Sequence, residues 1–280
     1  MIEFRDFTCY YKLKKGYGVA LDNISLTVQD GEKVAVVGPS GSGKTTLLKC
    51  ILGITQYTKG SLKIDGTEVD KYDKRKNELA YVSQEFVLYP KMTVYQNIAY
   101  PLRASGMPYE KADGLVVDIA KKLRLYRLLT RKPKQLSGGQ QQAVAIARAL
   151  VKKPSVVLFD EPLSNLDAVR RVRYRQIISD ICDENESTVV YVTHDPEEAY
   201  LVADKIVILD EGEIKGVMSD EEYAKTLNTD ESRVIDTALW SGEDEQVIDG
   251  DMFDGGDGDE QIPEDTALNG TDGNGSDEEI

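Results

Sequence analysis

The run Gly38-Pro39-Ser40-Gly41-Ser42-Gly43-Lys44-Thr45 carries the most specific chemistry in the chain. Its spacing, G-x-x-x-x-G-K-[ST], is that of a loop whose backbone N–H groups turn inward around a phosphate. The apolar run Lys33-Val34-Ala35-Val36-Val37 precedes it and reads as a buried strand. Leu47, Leu48, Ile51 and Leu52 follow at helical spacing. A helix that starts at the loop adds the partial positive charge of its N-terminus to those amides. In this setting Lys44 reaches the β- and γ-phosphates of a nucleotide, and the Thr45 hydroxyl ligates Mg²⁺. A Gly/Ser turn that merely contains Lys-Thr is the bland alternative, and the flanking strand and helix disfavour it.

Two more strand ends carry polar groups. Residues 155–161 are an apolar run closing on Asp160 and Glu161, and residues 188–194 close on His194, the only histidine. Open α/β sheets bind ligands at the carboxyl ends of their strands. Placed there, Asp160 holds Mg²⁺ through water and Glu161 polarises an attacking water. Phosphoryl transfer needs mainly positioning and charge stabilisation. His194, opposite the phosphate loop, is placed to touch the γ-phosphate. Taken singly, paired acids are more often solvated caps, and a lone histidine is more often a surface or core residue. The shared strand edge is what favours function.

The elements that must hold these groups follow from periodicity. Residues 1–29 alternate and read as short antiparallel strands, with a polar, turn-like stretch at residues 10–18. Residues 60–69 form an alternating hairpin about Asp65-Gly66, and residues 79–84 a buried strand ending in Gln84. From Val94 to Leu150 the pattern is helical, broken by Pro101, Pro108 and Pro133, with one helix from Tyr109 to Leu125 and another from about Gln140. A strand at residues 205–209 turns at Glu211-Gly212, and Ser219-Asp220-Glu221-Glu222 is a capping box opening a short helix. The alternation predicts an α/β fold with a mostly parallel sheet. It carries an N-terminal antiparallel β-subdomain and an inserted α-helical lobe at about residues 86–150.

Composition sets the bounds. Residues 231–280 hold 17 acidic residues against the single Arg233, so the whole net charge of −15 lies there. The near-neutral body offers no electrostatic case for nucleic acid. Cys9, Cys50 and Cys182 are scattered without metal-ligand spacing, which suits small apolar groups in a reducing compartment. No apolar run approaches the roughly 18–20 residues of a spanning helix, so membrane association would run through a partner.

The motifs, in order, resemble the ATPase subunits of ABC transporters over residues 1 to about 217, and most of all those of the carbohydrate (maltose-type) importers. Gln84 in Tyr-Val-Ser-Gln matches the Q-loop, and Leu136-Ser137-Gly138-Gly139-Gln140 matches the signature. Residues 156–161 match the Walker B strand with its glutamate, Ser164-Asn165-Leu166-Asp167 the D-loop, and Thr193-His194-Asp195 the switch histidine. The resemblance implies a P-loop NTPase (RecA-like) fold with ATP and Mg²⁺ as ligands. ATP would be held by Tyr11, Gly38, Pro39, Ser40, Gly41, Ser42, Gly43, Lys44, Thr45, Thr46 and Gln84, and the metal by Thr45, Gln84 and Asp160. Glu161, His194 and Lys44 would carry catalysis. Tyr11 is the choice for stacking on adenine, with Tyr17 as competitor. Leu136, Ser137, Gly138, Gly139, Gln140 and Asp167 would act in trans on the ATP of a second ATPase subunit, paired head to tail. Transmembrane permease subunits are the implied partners, with the chain peripheral on the cytoplasmic face of the membrane. The groove near residues 84–100, with Phe86, Val87, Leu88, Tyr89 and Met92, would take a short permease helix.

Three departures stand out. Ala143 occupies a position where the family usually has Arg, so a local polar contact is expected to be missing. The C-terminal OB-like domain common in those importers has no counterpart beyond about Gly216. Residues 218–230 instead read as a helix and linker, and residues 231–280 as an acidic, disordered tail. A calcium loop in that tail is disfavoured, because Phe253 and Asp254 fall where a ligand and a glycine are needed. A soluble ABC-type ATPase or an exporter subunit are the competing readings. The first is disfavoured by a single cassette without a coiled-coil insertion, the second by the lack of an exporter-type run before Leu136.

Overall fold

The computed structural model describes residues 1–12, 17–54, 59–70 and 79–226. The described residues all belong to one compact unit, Met1–Thr229. The expectations about the acidic tail and the calcium loop fall outside the described residues.

Strands β1 (Ile2–Lys12) and β2 (Tyr17–Val28) pair antiparallel and lead into β3 (Lys33–Val37), which feeds the phosphate loop and helix α1 (Lys44–Ile51). Next come β4 (Lys59–Ile64), β5 (Thr67–Glu68) and β6 (Leu79–Val82). Helices α2 (Val94–Ala104), α3 (Tyr109–Lys122) and α4 (Gly138–Leu150) follow. The last third alternates β7 (Val156–Asp160), α5 (Ala168–Glu184), β8 (Thr188–Val192), α6 (Pro196–Val202), β9 (Lys205–Asp210), β10 (Glu213–Ser219) and α7 (Asp220–Thr226).

Two sheets result. The smaller is antiparallel, in the order β2-β1-β4-β5, and its last hairpin turns at Asp65 and Gly66, both left-handed (φ 51° and 73°). That pair of positive φ angles is what an Asp-Gly hairpin turn provides. The larger is ordered β10-β9-β3-β8-β7-β6, parallel from β9 to β6, with β10 antiparallel on β9.

The parallel strands are apolar on both faces because both faces are covered. Val34, Val36, Leu158, Val190 and Val192 meet α1 and the antiparallel sheet. The alternate residues Val157, Phe159, Val189 and Tyr191 join α2, α3, α4 and α5 in a second core, while Ala35 and Val37 pack near α6 and α7. Phe159 is fully buried against Tyr191, ring centroids 5.5 Å apart. The inserted helices thus share a core with one face of the sheet.

Several expectations need correction. Residues 10–12 and 17–18 are not a turn but the ends of β1 and β2, since tyrosines suit a pleated, half-exposed ribbon. Strand β6 is an edge strand, only partly buried at Leu79, Ala80 and Tyr81. Pro101 does not break a helix but sits inside α2, near its end. Helix α3 stops at Lys122, and α4 begins at Gly138, directly after its cap. Strand β10 is absent from the sequence reading altogether. The capping box of α7 forms as expected, with Glu222 N–H donating to Ser219 Oγ at 3.2 Å and Ser219 N–H to the Glu222 carboxylate at 3.0 Å.

Candidate nucleotide-binding site

The phosphate loop leaves the carboxyl end of β3 and closes on α1. Gly43 takes φ +107°, and a Cβ there would stand 2.6 Å from the Ala20 carbonyl oxygen, so no other residue fits. Lys44 reaches back across the loop and donates to the carbonyls of Gly38 and Pro39, 2.8 Å each. Burial pulls its ammonium below the ordinary lysine value, while the charges of Glu161 and Asp160 oppose the shift. The Ser42 hydroxyl is buried in the loop without a hydrogen-bond partner.

The polar ends of β6, β7 and β8 arrive at the same edge. Asp160, nearly buried at 4 % exposure, accepts from Thr45 Oγ1 at one oxygen and from the Tyr81 hydroxyl at the other, 3.0 Å each. Glu161 follows in the left-handed region (φ 47°), its N–H donating to the Val192 carbonyl. That conformation costs about 1–2 kcal/mol for a residue with a Cβ, and it ends the strand abruptly at the cleft. One oxygen of Glu161 lies 3.2 Å from Gln84 Nε2 and 3.1 Å from His194 Nδ1.

A cleft of about 730 Å³ joins these groups. Tyr11, Ser40, Gly41, Gly43, Lys44, Thr45, Thr46, Gln84, Glu161 and His194 all line it, together with Cys9, Val19, Ala20 and Lys49. Tyr11 is half exposed at 49 %, and its ring leans across Gly18, where a Cβ would meet it at 2.4 Å. The side chain of Tyr17, the competitor, lies outside the described part. Thr45 and Gln84 line the cleft and Asp160 lies nearly buried behind Thr45, so the three offer hard oxygen donors, hydroxyl, amide and carboxylate. Such a set suits Mg²⁺, which keeps few protein ligands and takes the rest from phosphate and water.

Tyr81, Lys49 and Cys9 were not read as site residues from the sequence. Only the parallel register of β6 on β7, Tyr81 opposite Leu158, sets the phenol on the face of Asp160.

The signature residues are elsewhere: none of residues 136–140 nor Asp167 lines the cleft. Ser137 caps α4 in a reciprocal capping box with Gln140, and Asp167 caps α5 by accepting from Arg170 N–H at 2.9 Å. A Cβ on Gly138 would meet nothing within 4 Å, whereas one on Gly139 would lie 2.7 Å from Leu166 Cδ2. The second glycine therefore has a reason inside this chain. Ala143 is buried among the apolar residues of α4, and the polar link toward the Walker B turn is made one residue earlier, from Gln142 to the Pro162 carbonyl.

A second groove, of about 670 Å³, runs along β6 between α2 and α4. Val87, Tyr89 and Tyr100 are exposed there, with the two tyrosine rings 4.7 Å apart, while Leu88 turns into the core. Arg148 lies over the Tyr89 ring and donates to the Val87 carbonyl at 2.7 Å.

A phosphate loop between strand and helix, with an aspartate-glutamate pair and a histidine on neighbouring strand ends, defines a P-loop nucleotide-binding cassette. The family model described as "ABC transporter" matches residues 21–164, and the chain belongs to that family. It is 48 % identical over 198 residues to the sn-glycerol-3-phosphate import ATP-binding protein UgpC of Psychromonas ingrahamii, covering 71 % of this chain and 53 % of that protein. With the lactose transport ATP-binding protein LacK of Rhizobium radiobacter it shares 47 % identity, over 73 % of this chain and 57 % of the relative. The chain thus spans about half the length of these curated relatives. Among solved structures, the dimeric post-hydrolysis state of the ATP-binding cassette MJ0796 bound to ADP and Pi superposes with a TM-score of 0.72 at 34 % identity. That match covers 78 % of this chain and 98 % of the cassette.

Proposed function

We propose that the chain binds and hydrolyses ATP as the motor subunit of an importer for small, sugar-like solutes, acting through membrane permease subunits and a second ATPase subunit. The observation that carries this reading is the convergence of Lys44, Thr45, Gln84, Glu161 and His194 on one cleft, with Asp160 hydrogen-bonded to Thr45 just behind its wall. The named activities of the relatives, import and transport ATP-binding proteins, point the same way.

In this reading the amides of residues 38–45 and the Lys44 ammonium take the β- and γ-phosphates. Thr45, Asp160 and Gln84 would hold Mg²⁺, which would supply charge neutralisation at the phosphates. Glu161 orients the attacking water by accepting its proton-bearing side. His194, beside that carboxylate, is placed to donate to the γ-phosphate as charge builds there. Gln84 ties the glutamate to the segment leading into the helical insertion, so the hydrolytic centre and the groove at Val87 and Tyr100 lie on one stretch of chain.

The remaining roles follow the same logic. Tyr11 stacks on the adenine, and Ser137, Gly138 and Asp167 of one subunit meet the ATP of the other. Residues 1–217 form the ATPase domain, and the chain sits on the cytoplasmic face of the membrane, held by a short permease helix in the groove. Among the described residues no helix is long and apolar enough to cross a membrane.

The test is reconstitution with candidate permeases in vesicles. ATP-dependent uptake, lost with Lys44→Ala, and cysteine cross-links from positions 87 and 100 to permease loops are expected. ATP hydrolysis without any permease-dependent uptake would sink the transport part of the reading.

A further inference from the structure

We propose that Tyr81 is a positioning residue for the metal-binding carboxylate, holding Asp160 in its working orientation when Thr45 turns to the cation; this rests on the ATPase reading above. Asp160 is nearly buried, and both of its oxygens are engaged, one by Thr45 and one by Tyr81, at 3.0 Å each. The two donors are not equivalent. Thr45 belongs to the phosphate loop and would itself ligate the cation in that reading, which would draw its hydroxyl away from the aspartate. Tyr81 stands on β6, outside the nucleotide loop, and would keep its bond to the carboxylate with the cation in place.

Geometry makes this bond specific to a phenol. Strand β6 runs parallel to β7 with Tyr81 opposite Leu158, two residues before Asp160 and on the same face of the sheet. Only a long side chain with a terminal donor reaches forward by that distance, about 6.5 Å for two residues of strand. The ring packs on the core beneath α1, so its direction is set by burial. With the hydroxyl gone, one aspartate oxygen would be buried unpaired and the carboxylate free to rotate about its last bond. A carboxylate that binds a cation must be aimed before the cation arrives, and groups that aim it are typically worth about ten- to a hundredfold in metal affinity.

Tyr81→Phe keeps the ring and deletes only the donor. The variant is compared with the parent on a Glu161→Gln background, where nucleotide is retained, by titrating Mn²⁺ against a fluorescent ATP analogue and by Mn²⁺ electron paramagnetic resonance. The expected result is a half-saturating Mn²⁺ concentration raised about tenfold or more. Binding of the analogue in EDTA should be unchanged, with native-like thermal melting. An unchanged Mn²⁺ titration would overturn the inference alone. Equal losses with Mn²⁺ and in EDTA would also overturn it, because they show a packing role. A parent whose nucleotide binding ignores Mn²⁺ would overturn the inference and the ATPase reading together.

Discussion

The phosphate-loop edge and the signature edge of this chain are built from similar parts and finished differently. At the first, residues from four segments meet side chain to side chain: Thr45 on Asp160, Tyr81 on Asp160, Gln84 and His194 on Glu161. At the second, Ser137 and Gln140 satisfy only each other, Asp167 caps its own helix, and Gly138 faces open space. One edge gathers its polar groups around a cavity, and the other presents a capped helix start outside that cavity. In the reading proposed above, two chains would each lend an exposed helix start to the other's cleft.

The comparison breaks most visibly at Glu161. Glu161→Gln preserves the hydrogen-bonding reach toward Gln84 and removes the charge that orients water, so hydrolysis should fall at least ~100-fold in a phosphate-release assay. ATP binding should persist, and the variant should elute as an ATP-dependent dimer on size exclusion. Adding Ser137→Arg should abolish that dimer while leaving the ATP affinity of the monomer unchanged, since Ser137 is not part of its own chain's cleft. A double variant that still dimerises, or that loses ATP as a monomer, would refute the two-chain site.

Smaller effects sharpen it. Tyr11→Ala removes the aromatic face at the cleft mouth and should weaken ATP by about 1–2 kcal/mol, read by calorimetry, with triphosphate affinity unaffected. Last, the two signature glycines should part company in thermal melts. Gly139→Ala drives a methyl against Leu166 and should cost about 1–2 kcal/mol. Gly138→Ala should be neutral within about 0.5 kcal/mol, its harm showing only in dimer formation.

Much of the first edge was legible from sequence because each group sits where a short, strongly patterned strand stops: Val37 before the loop, Phe159 before Asp160-Glu161, Val192 just before Thr193-His194. The strong apolar runs belong to strands covered on both faces, and those announce themselves. Half-covered strands do not. In β10 the sequence Glu-Ile-Lys-Gly-Val-Met-Ser is short, glycine-interrupted and partly exposed, and it was passed over. The tyrosines and lysine at the ends of β1 and β2 read as a turn because polar residues crowd the stretch, yet the backbone there is strand. Pro101 misled because a proline near a helix end gives up only one ladder bond, an amount that packing of α2 on its neighbours outweighs. Tyr81 could not be found at all without the register of two strands some eighty residues apart.

Helix α4 has a mechanical side. Its first residue follows Ser137, and three turns later Arg148 grips the Val87 carbonyl and lies over the Tyr89 ring. The rod between those ends is about 16 Å long and too stiff to bend appreciably under thermal forces. Tilting it by about 10° would sweep one end some ~3 Å relative to the other. The guanidinium ties the far end of the helix to the exposed aromatic groove, so a swing of the signature end would be carried to that groove. Shortening the tie, as in Arg148→Lys, would leave both surfaces intact and put slack between them.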